Sequence, residues 1–90
     1  MLEIITNIHI TPEGQTIDVG FSEIPLNALY KPFLRCSDGR TARIPLLLNK
    51  DDIHRARILF DSLESTDLFR FDYLKLIVAG ACSMAMKKKS

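Results

Sequence analysis

Ninety residues, 47% of them hydrophobic and 26% charged, leave room for one folded domain and exclude both a disordered chain and a second independent core. The net charge of +1 selects no class of partner by itself. With no Trp, the core must come from Leu, Ile, Val and five Phe residues; a chain this short buries only roughly 60–65% of its unfolded surface, so an oligomer or a stable partner is expected.

The distribution of charge says more than its sum. Residues 1–30 carry Glu3, Glu13, Asp18 and Glu23 and no base. Residues 31–57 set Lys31, Arg35, Arg40, Arg43, Lys50, Arg55 and Arg57 against Asp38, Asp51 and Asp52, which makes a basic middle. Residues 58–72 are acidic again, and the last block carries Lys75 and the run Lys87-Lys88-Lys89. Met1-Leu2-Glu3 lacks the basic start of a secretory signal, and Cys36 and Cys82 are too far apart to form a spaced motif. A reducing, cytoplasmic setting is expected.

The chain opens on "LEIITNIHIT", where Leu2, Ile4, Ile8 and Ile10 share one parity and Ile5 falls on the other. Period two predicts a half-buried strand over 2–10 with His9 on its polar side. Pro12 to Gln15 is turn chemistry, and Ile17, Val19 and Phe21 alternate with Asp18, which predicts a second strand over 15–23 and a hairpin between the two. "IPLNALYKP" is a connection of unassigned type. In "FLRCSDGRTARI" the Asp38-Gly39 pair predicts another hairpin; a two-residue turn would set Leu34 opposite Arg43 and Cys36 opposite Thr41. Pro32 and Pro45 bracket it, which suggests that one of these strands lies at an edge.

Asn49 predicts a helix N-cap, with Asp51 and Asp52 at N2 and N3 and with Leu48 and Ile53 placed for a hydrophobic staple. Ile53, Ala56, Leu59, Phe60 and Leu63 form its apolar stripe, while His54, Arg55 and Asp61 occupy the other side. Thr66-Asp67 can cap a second helix, along which Phe69, Tyr73, Leu76, Ile77, Gly80, Ala81 and Met84 recur at three and four. Leu74, Val78, Ala85 and Met86 fill most of the rest, so this helix is expected to be covered on several sides. A strand over 69–78 is the rival reading. The uncharged run from Leu76 to Met86 is eleven residues, well short of the roughly 20 that a membrane span needs. Residues 87–90 read as a disordered basic tail.

No catalytic or metal-binding set emerges. His9, His54, Cys36 and Cys82 include no pair at ligand spacing; Asp51 and Asp52 are explained by capping; no G-x-S-x-G elbow or Gly-rich phosphate loop occurs. Cys36 among arginines could act as a nucleophile, but a plain strand cysteine is the simpler reading. No cofactor is expected.

The fold expected is α+β: two antiparallel hairpins forming a small sheet, then two C-terminal helices packed on one face, in a single domain of residues 1–90. The function expected is a non-enzymatic protein-binding module, such as an adaptor, an inhibitor or a regulatory subunit. A phage or plasmid accessory protein would take this form. Leu76, Ile77, Gly80, Ala81 and Met84 are the candidate self-association or docking residues, making a homo-oligomer the expected state. Arg35, Arg40, Arg43, Arg55 and Arg57 are the candidates for steering towards an acidic protein partner. The alternative is a nucleic-acid-binding regulator that uses the basic hairpin and the first helix. Against it stand the near-zero net charge and the scarcity of interleaved aromatics.

Overall fold

The computed structural model describes residues 2–62 and 70–87. Four strands come first, β1 (Glu3–Ile10), β2 (Thr16–Ile24), β3 (Leu29–Cys36) and β4 (Thr41–Arg43), followed by α1 (Lys50–Asp61) and α2 (Phe71–Lys87). The strands form one antiparallel sheet in the order β1-β2-β3-β4. The α+β class is therefore as expected. The closing apolar segment is a helix and not the rival strand. Leu63, the proposed cap at Thr66-Asp67, Phe69 and residues 88–90 lie outside the described residues; Lys87, assigned to the tail, is the last residue of α2.

β2 follows its pattern. Ile17, Val19 and Phe21 are buried and pair with Cys36, Leu34 and Pro32, which fixes the inner face of the sheet. The unassigned connection is a tight turn that pairs Ile24 with Leu29, with Leu26 and Ala28 at positive φ. Pro32 sits inside β3, a central strand. Its carbonyl accepts from Ile44 N at 2.9 Å, so its missing N–H faces the short β4 side just past the last ladder pair and interrupts nothing.

Two registers differ from expectation, each by one residue. β1 carries an irregularity between Ile5 and Asn7, so Ile4 pairs with Phe21 but Ile8 pairs with Asp18. The extra residue, Thr6, donates its hydroxyl to Val19 O at 3.1 Å, which supplies an acceptor's partner where the ladder is broken. A one-residue shift turns over every later side chain. Ile4 stays inside, Ile5, Ile8 and Ile10 lie on the outer face, and His9 moves to the inner side opposite Ile17. The second slip is at Asp38-Gly39. Cys36 N donates to Arg40 O and Gly39 N to Cys36 O, with Gly39 at φ 98°, so the loop has three residues and not two. Leu34 therefore pairs with Ala42, and Arg43 joins Phe33 on the outer face.

After β4, Tyr30 and Leu48 exchange backbone hydrogen bonds of 2.7 and 2.9 Å, which pins the chain just before α1 begins. The helix starts as read: Asn49 Oδ1 accepts from Asp52 N at 2.8 Å, and Asp52 Oδ2 accepts from Asn49 N at 3.1 Å. Ile53, Ala56 and Phe60 of α1 and Phe71, Leu74, Val78, Ala81, Cys82 and Ala85 of α2 join the inner-face residues in one core cluster. Within it Phe21 and Phe60 stack with centroids 6.3 Å apart. α2 is thus covered along one stripe and not on several sides.

Candidate interaction surfaces

The five arginines proposed for steering do not form one patch. Arg35 lies on the outer face, 3.5 Å from Glu3 and 3.6 Å from Asp18, with its guanidinium over the Phe33 ring. Arg40 bonds Asp38 at 2.8 Å and lies over the Phe71 ring; its NH2 also donates to Gln15 Oε1 at 3.3 Å. The Arg40 amide, donating to Asp38 Oδ1, holds the Asp38 carboxyl below its ordinary pKa, with smaller help from the Cys36 thiol and the Arg40 guanidinium. Arg55 is a structural tie. It bonds the buried Asp52 carboxylate at 2.6 Å and donates from Nε to Ala85 O at 3.0 Å, so the capping box of α1 is joined to the last turns of α2. Only Arg43 and Arg57 of the five have no acidic partner within 4 Å among the described residues.

The proposed self-association residues divide in two. Leu76 is 71% and Met84 53% exposed, Gly80 is exposed, and Ile77 is half-buried; with exposed Tyr73 they form a stripe along the outer side of α2. A Cβ placed on Gly80 would meet nothing within 4 Å, so the middle of that stripe is open to a close approach by another backbone. Ala81, one residue on, is buried in the core and takes no part in the stripe. The helical period separates 80 from 81 by about 100°, enough to put them on different sides.

Two features were not singled out from the sequence. The first is the apolar outer edge of β1, where Ile5, Ile8 and Ile10 are all exposed, Ile8 to 63%. The signal was present in Ile5, the isoleucine that broke the parity of the strand. The second is the row Lys50, His54 and Arg57, spaced i, i+4, i+7 on α1, which with Ile4 and Ile53 lines a cleft of about 240 Å³. That spacing is legible, but its placement beside β1 is not.

Cys36 and Cys82 are free and buried. Burial pushes the Cys82 thiol up to about 12. Burial also lowers the pKa of His9. Among the described residues no group of three His, Cys, Asp or Glu could hold a metal ion, and no helix is long and apolar enough to cross a membrane. No family model, no curated protein and no solved structure matches this chain.

Proposed function

We propose that this chain is a small non-enzymatic binding module that pairs with a second copy of itself through the outer stripe of α2 and presents the rest of its surface to a protein partner. The observation that carries the reading is the stripe Tyr73, Leu76, Ile77, Gly80 and Met84, a run of apolar and small side chains on a helix whose opposite side already supplies the core. An open glycine at its centre suits two helices crossing at short distance. Ala81 is not part of this surface. Steering of an acidic partner falls to Arg43 and Arg57, since Arg35, Arg40 and Arg55 are engaged within the chain. Two buried free thiols fit a reducing cytoplasm. A nucleic-acid-binding regulator is supported less well. The cations divide between the outer face, the hairpin end and α1, and Phe33, the aromatic beside them, is buried under Arg35 rather than open for stacking.

The test is solution mass by light scattering over a range of concentrations, for the native chain and for Leu76→Glu and Met84→Glu. Both substituted side chains are exposed, so both variants should fold. A dimer that becomes monomeric in the variants with circular dichroism unchanged is expected; a native chain monomeric at every concentration would end the reading.

A further inference from the structure

We infer that the open edge of β1 binds an extended peptide whose side chains alternate between acidic and apolar, added to the sheet as a fifth strand. The inference rests on reading the chain as a protein-binding module, but not on self-association through α2.

Among the described residues β1 pairs only with β2, so half of its backbone N–H and C=O groups along eight residues face outward. The other edge, β4, has three residues and is followed closely by Pro45, which leaves little to template. β1 contains no Lys and no Pro, the usual devices against strand addition. A strand laid beside it would point alternate side chains to opposite faces of the sheet. On the outer face they would meet Ile5, Ile8 and Ile10, which asks for apolar residues. On the inner side they would meet the cleft beside Ile4, whose polar lining is Lys50, His54 and Arg57. Neither Lys50 nor Arg57 has an acidic partner within 4 Å among the described residues, which asks for carboxylates.

Charge also decides against a second copy at this edge. Antiparallel pairing of two β1 strands about a two-fold axis keeps both inner faces on the same side. The two Lys50–His54–Arg57 rows would then face each other across the seam, and Glu3, the one acidic residue of β1, lies on the outer face beside Arg35 and does not offset them. The bulge at Thr6 would interrupt such a ladder twice, once from each copy, whereas a peptide meets it once.

The experiment titrates the full chain into three fluorescent nine-residue peptides and follows anisotropy. One alternates glutamate with valine and isoleucine, one has lysine for each glutamate, and one is the acidic peptide with a central proline. Saturable binding of the acidic peptide alone is expected. Lys50→Glu/Arg57→Glu should weaken it by about tenfold and transfer preference to the lysine peptide, since two exposed ion pairs are reversed. Ile8→Lys should weaken it as well, and Leu76→Glu should leave it unchanged. Equal binding of the acidic and lysine peptides, no binding of any, or affinity unmoved by the charge reversal would overturn the inference. So would a loss of solution mass in Ile8→Lys that Leu76→Glu does not produce, because a second copy would then occupy the edge. Failure of the α2 dimer leaves the peptide titration intact, so the two ideas fail separately.

Discussion

A Cβ added to Gly20 would lie 2.6 Å from the Phe33 ring and 2.9 Å from both the Ile4 carbonyl oxygen and Ile5 Cδ1. The ring occupies the space that every other residue type would fill, and one of the three obstacles is backbone, which cannot turn aside. Gly20→Ala should therefore lower unfolding free energy by about 1–3 kcal/mol in urea titration, the usual range for overpacking. Cys82 makes a second residue-scale prediction. Its thiol titrates near 12 in the fold against 9.0 when free, so between those values the unfolded chain loses a proton that the native chain keeps. Stability from this group is complete below pH 9 and falls as pH rises, by up to about 1.4 kcal/mol per pH unit. Unfolding followed from pH 8 to 11 should show a flatter decline in Cys82→Ala than in the native chain. An identical slope would mean that the thiol ionises normally. Neither effect was legible in the sequence, because each depends on neighbours distant along the chain.

Between elements, the decisive contact is Asp52. Its carboxylate completes the capping box with Asn49 and accepts from Arg55, whose Nε in turn satisfies Ala85 O near the end of α2. Asn49→Ala should cost about 1 kcal/mol, as N-cap removals do. Arg55→Ala should cost about 2 kcal/mol, less than a fully buried pair because Arg55 keeps some solvent contact. It should also speed hydrogen exchange in the last turns of α2, which Asn49→Ala should not do. The cap could be read from Asn49 and its following aspartates, since capping is local chemistry. Arg55 could only be read as a charge, and its true role needs a carbonyl thirty residues away. The two slipped registers are also element-scale. Period-two counting assigns faces correctly until one residue is added. The additions at Thr6 and in the Ser37–Gly39 loop are fixed by ladder hydrogen bonds that no local pattern encodes.

For the whole molecule, Gly80 offers a test that separates an association surface from a bare solvent face. Nothing crowds a methyl there in the isolated chain, so Gly80→Ala should stabilise the monomer by about 0.8–1 kcal/mol through helix propensity. If a second α2 crosses at this point, the same methyl should weaken the dimer, and light scattering should show the mass falling as thermal stability of the dilute chain rises. A gain in stability with unchanged mass would place any self-contact elsewhere. A truncation at Val78 would be a poor substitute: it removes Ala81, Cys82 and Ala85 from the core together with the carbonyl that Arg55 holds.

The sequence by itself determined the strands of the sheet, the inner face of β2 and the start of α1, and it favoured a helix over a strand for the final apolar segment. These follow from period, capping and length, all short-range properties of the chain. It also singled out Leu76, Gly80 and Met84, because a helix with more apolar surface than one core needs must leave some of it outside. Tertiary structure alone decided which side of α2 that would be, sending Ala81 inward with Val78 and Ala85. It also paired Arg35, Arg40 and Arg55 with carboxylates and, among the described residues, left Arg43 and Arg57 without them. The edge of β1, with its isoleucines on one side and the Lys50–His54–Arg57 row on the other, exists only because a bulge and a helix fifty residues apart meet at Ile4. Charge and hydropathy are properties of residues; their partners are chosen by the path of the backbone.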